Sequence, residues 1–104
     1  MGCVIGKLRC AKWNDVSSPK LFFFWCPACQ EPHPYWVDDP DPRKTWQFNG
    51  DFNRPTFTPS LRVFGDGHAT ACHLNLTDGK IYYHGDSPHA LAGETVELPD
   101  YPEA

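Results

Sequence analysis

Residues 69–84 read ATACHLNLTDGKIYYH. Two runs, 69–76 (ATACHLNL) and 80–84 (KIYYH), flank Asp78-Gly79. A two-residue hairpin loop needs positive φ at both central positions, and Asp-Gly is among the pairs that tolerate it. The stretch therefore predicts an antiparallel hairpin. The neighbouring chain carries the same kind of signal. Residues 20–26 (KLFFFWC) are apolar and aromatic between Pro19 and Pro27, which marks a strand. A tight turn at Cys26-Pro27-Ala28-Cys29 follows, and residues 33–37 (HPYWV) return as an edge strand, because Pro34 cannot donate to a central ladder.

The remaining chain is short segments and turns. Residues 3–10 predict a first strand, 45–48 a short strand ended by Asn49-Gly50-Asp51, 61–64 a strand, and 94–98 a last one. Residues 38–43 read as a polar loop, Gly65-Asp66-Gly67 as a flexible turn, and 84–88 as another turn. Residues 88–92 (PHALA) predict one helical turn, with Asp86 or Ser87 as cap and Gly93 as its end. Residues 53–60 (NRPTFTPS) read as an extended crossover over a sheet, with Phe57 and Leu61 packed inward. The 11 Pro and 8 Gly of the chain oppose long helices, and no long stretch has apolar spacing at three and four. The expected class is mainly β: a small antiparallel sheet with a zinc knuckle and little helix.

At 104 residues the chain suits one domain, with residues 20–99 as its core and 100–104 as a frayed tail. The longest apolar run, 21–26, is far below the roughly 20 residues of a membrane span. No secretory signal is visible, and Met1-Gly2-Cys3 lacks the Ser or Thr of a myristoylation site because Gly6 stands there. The expected location is the bacterial cytoplasm. A net charge of −4 argues against a basic nucleic-acid groove. Trp25, Tyr35, Trp36, Trp46 and Phe48 are read as core rather than as base-stacking platforms, since Asp38, Asp39, Asp41 and Asp51 surround the nearby cations.

The chemistry-bearing residues are five cysteines and five histidines. An odd cysteine count without a secretory signal argues against a disulfide scaffold. Cys26 and Cys29 form a C-x-x-C turn, a spacing that lets two thiolates reach one tetrahedral ion. The expected metal set is Cys26, Cys29, Cys72 and His73, holding zinc. His33 is the second candidate for the fourth position, and His84 and His89 also remain open. Cys72 and His73 point to opposite faces of a regular strand, so they share one ion only if the strand is bulged. A redox C-x-x-C ranks below metal, because Pro32 and Pro34 break the helix such a motif opens. His84, Asp86 and His89, with His73 nearby, form a second group, which suits an open metal site or a general base oriented by Asp86.

The strings Trp46 to Leu61 (WQFNGD…PTFTPSL), Cys72-His73, Asp78-Gly79-Lys80-Ile81 and Asp86 to Gly93 (DSPHALAG) resemble a family of small metal-binding proteins of tailed phages and prophages, whose members often carry the label ammonia monooxygenase. The resemblance spans roughly residues 20–99. Members commonly carry an upstream C-P-x-C, matched by Cys26 to Cys29, and the resemblance therefore implies a bound metal. The monooxygenase label does not suit this chain, which has no copper or di-iron constellation. A looser similarity links the chain to small metal-binding domains encoded beside bacterial ubiquitin-like conjugation genes. Those relatives tend to have C-x-x-H where this chain has Cys72-His73 adjacent. The functional expectation is a zinc-binding accessory protein that binds a host or phage protein. The alternative is a metal-dependent hydrolase using His84, Asp86 and His89.

Overall fold

The Asp78-Gly79 turn forms as its sequence dictates. Both residues have positive φ, at 51° and 73°. They join strands that pair in register from Leu74↔Tyr83 to Thr77↔Lys80. Nine strands are built around this hairpin in the computed structural model, which describes residues 3–12, 20–65 and 69–102. The first sheet holds β1 (Cys3–Ile5), β2 (Leu8–Lys12), β3 (Lys20–Cys26) and β4 (Glu31–Val37). The second holds β5 (Gln47–Phe48), β6 (Phe57–Phe64), β7 (Thr70–Thr77), β8 (Lys80–Tyr83) and β9 (Thr95–Glu97). Each sheet runs in chain order, and all neighbours are antiparallel. The expected antiparallel β class is present, as two sheets rather than one, and the described residues contain no helix.

Period-two burial sets the inner faces. Phe22, Phe24 and Cys26 point inward from β3, and His33, Tyr35 and Val37 from β4. Cys72, Leu74 and Leu76 face them from β7, with Ile81 and Tyr83 from β8. Phe57 and Leu61 of β6 are buried, as the crossover reading required. Phe57 joins the two sheets: its ring stacks on Tyr35 at 4.1 Å and on Phe48 at 4.6 Å. Each such pair adds about 0.5–1.5 kcal/mol beyond simple burial. These contacts place Tyr35 and Phe48 in the core rather than on a base-stacking surface.

Three local expectations are corrected. The strand expected over 3–10 is two strands, because Gly6 takes a φ of 58° and turns the chain. Leu61 to Phe64 do not start a separate strand but continue β6 from Phe57, with a register irregularity between Phe57 and Leu61 where Pro59 cannot join the ladder. Residues 88–92 form a hydrogen-bonded turn, Ala92 N–H to His89 O at 3.2 Å, and Gly93 closes it with a φ of 81°. Asp66 and Gly67 of one expected turn, and residues 103–104 of the tail, lie outside the described residues. Among the described residues no helix is long and apolar enough to cross a membrane.

Gly6 also lets the loop before β6 approach. The Lys7 N–H donates to Phe52 O at 2.8 Å, and a Cβ on Gly6 would lie 2.4 Å from that same oxygen. Neither partner is the end of a flexible side chain. Left-handed strain of about 1–2 kcal/mol therefore adds to a backbone clash in Gly6→Ala. The expected result is a fall in melting temperature of roughly 10 °C or more, read by calorimetry. A fall under about 3 °C would show that this approach contributes little to the fold.

Candidate functional site

The turn after β3 brings Cys26 and Cys29 to one place. Gln30 N–H donates to Cys26 O at 2.8 Å, Gln30 adopts a φ of 58°, and Cys29 N–H donates to Cys26 Sγ at 3.4 Å. His33 follows on the inward face of β4, and Cys72 on the inward face of β7. The donor atoms of Cys26, Cys29, His33 and Cys72 all lie within 4.8 Å of one another. Ligands on one tetrahedral ion are separated by roughly 3.3–3.8 Å, so the four need only a small contraction to share one.

The fourth partner is His33, the second candidate, and not His73. Strand parity is the reason: Cys72 points into the sandwich, so its neighbour His73 points out of it. His33 Nε2 is buried and has no hydrogen-bond partner, while Nδ1 lies 3.8 Å from Glu31 Oε2. A buried imidazole nitrogen without a partner is costly, and a metal ion satisfies it.

Electrostatics at the cluster also calls for a cation. Hydrogen bonding from Cys72 holds the Cys26 thiol down at about 3, helped by Tyr83 and the Cys29 N–H. Burial and the charge of Cys26 push Cys29 up to about 11. Cys72 is pushed far up by its hydrogen bond to Cys26 and by burial. With no cation the trio holds one thiolate and two thiols, because like charges this close do not ionise together. A divalent ion removes that penalty. The cluster can hold a metal ion, with all four positions filled by protein and none left for substrate.

A ring of donors surrounds the sulfurs. Tyr83 Oη lies 3.2 Å from Cys26 Sγ. His89 Nε2 lies 3.4 Å from Cys72 Sγ, and His89 Nδ1 accepts from Leu91 N–H at 3.2 Å. That acceptor role puts the proton of a neutral His89 on Nε2, aimed at the sulfur. The Tyr83 and His89 rings meet edge to face at 4.7 Å. Replacing His89 by Phe keeps this packing and removes the donor. His89→Phe is expected to weaken metal binding about 10–100-fold in competition with a chromophoric chelator. Unchanged affinity would mean that the His89–Cys72 contact is incidental.

His89 is thus a partner of a candidate metal ligand. It does not join His84 and Asp86 in an open metal site, and those three form no metal-holding group among the described residues. His84 Nε2 lies 2.6 Å from Asn75 Oδ1, and its ring stacks on His73 at 4.1 Å. The C-x-x-C turn leads into a strand, so the helix of a redox motif is absent there.

Asp86 has a different partner. His73 Nδ1 lies 3.0 Å from Asp86 Oδ1, and His73 Nε2 lies 3.3 Å from Ser60 Oγ. The hydrogen bond from His73, with the charge of Arg62 beside it, holds the Asp86 carboxyl below its ordinary range. An ionised carboxylate only accepts, so a neutral His73 paired with it carries its proton on Nδ1 and turns the Nε2 lone pair to the Ser60 hydroxyl; Arg62 Nη2, 3.4 Å from the same Nδ1, then donates to Asp86 instead. Arg62 Nη2 lies 3.3 Å from Asp86 Oδ2, and Arg62 Nη1 lies 3.1 Å from Thr70 Oγ1. Ser87 fixes the backbone of His73: its Oγ accepts from His73 N–H and donates to His73 O, each at 3.0 Å. Ser87 is therefore a brace on β7 and not a helix cap.

Ser60, His73 and Asp86 form the hydroxyl–imidazole–carboxylate order of a nucleophile, its base and an orienting group. The His73 side chain is 17% exposed and that of Asp86 49%, so the cluster lies at the protein surface. Sequence reading placed Asp86 as the orienter of a histidine but missed Ser60 as the group that histidine faces. The signal available was the cross-strand pairing Arg62↔His73, which puts Ser60 and His73 on one face of neighbouring strands.

No curated protein and no solved structure matches the chain. The sequence profile of one family, described as bacterial ubiquitination-like system serine protease (BubE), matches residues 7–84. That match takes in β2 through β8, the metal cluster, Ser60 and His73, and by it the chain belongs to the BubE family.

Proposed function

We propose that the protein is a serine protease of a bacterial ubiquitination-like system, cleaving an amide bond with Ser60 as nucleophile. The observation that carries this is the 3.3 Å contact between Ser60 Oγ and His73 Nε2, with Asp86 on the far nitrogen at 3.0 Å. Ser60 Oγ attacks the substrate carbonyl and gives its proton to His73 Nε2. His73 then passes that proton to the departing amine, and the bond to nitrogen breaks. Water, giving a proton to His73 Nε2, then attacks the acyl carbonyl; the bond to Ser60 Oγ breaks and His73 returns the proton to that oxygen. Asp86 stays ionised throughout, and stabilises the imidazolium that forms in both halves.

The hydrolase alternative thus moves from a metal-bound nucleophile to a serine. The metal becomes structural, and three thiolates with one imidazole in a closed tetrahedron favour zinc. Reduced thiols are needed for such a site, which fits the bacterial cytoplasm. The expected protein partner becomes a substrate: a ubiquitin-like protein whose tail the enzyme trims or releases.

The test is incubation with the system's ubiquitin-like protein carrying a short C-terminal extension, followed by mass spectrometry. The native chain is expected to remove the extension and Ser60→Ala to leave it intact. No cleavage by the native chain, or equal cleavage by Ser60→Ala, would overturn the proposal.

A further inference from the structure

The open backbone edge of β6 beside Ser60 points to how the substrate binds, an inference that rests on Ser60 being the nucleophile. His73 directs its backbone groups away from β6. Its N–H donates to Ser87 Oγ at 3.0 Å, and its carbonyl accepts from His84 N–H at 2.8 Å. The pair Arg62↔His73 is therefore the non-hydrogen-bonded kind in the antiparallel ladder. In such a pair each residue turns its N–H and C=O outward, so those of Arg62 face the side opposite β7.

That side has a strand for only part of its length. β5 covers Phe57 and Thr58 and no more. Before it, the chain swings away to the other sheet: Trp46 N–H donates to Trp36 O at 2.8 Å, and Trp46 bridges Val37. The Ser60 carbonyl, on the same outward side, takes the Trp46 indole N–H at 3.3 Å. Beyond it, no strand among the described residues pairs with Arg62 on that side. Phe64, near the end of the same strand, is 59% exposed.

An open edge is a template for another chain, and natural proteins usually blunt theirs. This one is continuous with the candidate nucleophile. We infer that the substrate binds as an extended peptide tail added antiparallel to β6, exchanging backbone hydrogen bonds with Arg62 while its scissile carbonyl reaches Ser60. An added strand lies about 4.8 Å from β6, which puts a carbonyl opposite Ser60 within the span of that side chain. Recognition of this kind reads backbone first. It takes an unstructured tail and excludes the folded body of a protein, whose backbone groups are already paired.

The test uses the metal-loaded full chain and a library of tetrapeptide coumarin amides. The best substrate is resynthesised with one N-methyl group at each position in turn. The expected result alternates: methylation at the position facing Arg62 lowers kcat/KM about tenfold or more, and methylation at its neighbours changes it little. Equal effects at all positions would overturn the inference. So would a protein whose Ser60 reacts with a fluorophosphonate but which cleaves no extended peptide. A protein whose Ser60 does not react fails at the earlier step, and both readings fall with it.

Discussion

Removing the metal is expected to unfold the protein. Cys26, Cys29 and His33 belong to the β3–β4 hairpin of one sheet, and Cys72 to β7 of the other, so an ion held by all four would tie the two layers together. Without it, His33 Nε2 is left buried and unpartnered, and Cys29 and Cys72 must take up protons. A structural zinc site contributes on the order of 10 kcal/mol to folding, comparable with the whole stability of a small domain. Strong chelation is therefore expected to abolish the near-ultraviolet circular dichroism of the stacked aromatics, and added zinc to restore it. Activity must fall with the fold, because Cys72 immediately precedes the base His73 on the same strand. A chelated protein that keeps its melting temperature would show that the sandwich holds itself together without the metal.

The second large effect is on catalysis. Ser60→Ala and His73→Ala are each expected to lower kcat/KM by about 10⁴-fold or more, and the double variant by scarcely more than either alone, because the two groups act as a unit. Asp86→Asn is expected to cost less, roughly 10²–10⁴-fold. Asp86 is half exposed, so water competes for the orienting bond that a fully buried carboxylate would make alone. All three variants replace groups on the outer face of the second sheet, and their melting temperatures are expected to stay within a few degrees of the native value. Additive losses in the double variant would contradict a Ser60–His73 unit.

What the sequence revealed depended on how local the physics was. The Asp78-Gly79 hairpin and the Cys26–Cys29 turn rest on a few adjacent residues, and both were legible. Cys72 was legible as the thiol carried by the Asp78-Gly79 hairpin. Strand parity excludes His73: adjacent to Cys72, it shares an ion with it only on a bulged strand, and β7 is regular at Cys72 and His73. Ser60 was hidden for a different reason. It lies 13 residues before His73, and His73 lies 13 before Asp86. Only the pairing of β6 with β7 and the turn after β8 bring the three together. The irregular register around Pro59 decides which side chain of that Pro-rich segment meets the imidazole, and no local pattern encodes it. The single strand expected over 3–10 divides in two because Gly6 takes a positive φ and turns the chain between β1 and β2.

The most direct measurement of the central claim is the site of fluorophosphonate modification on the metal-loaded protein, mapped by peptide mass spectrometry. A serine activated by a neighbouring imidazole reacts, and ordinary surface serines do not. The account predicts one adduct per chain, on Ser60, and none in the His73→Ala variant. A folded, metal-loaded protein that takes no adduct, or takes it on another serine, would contradict it.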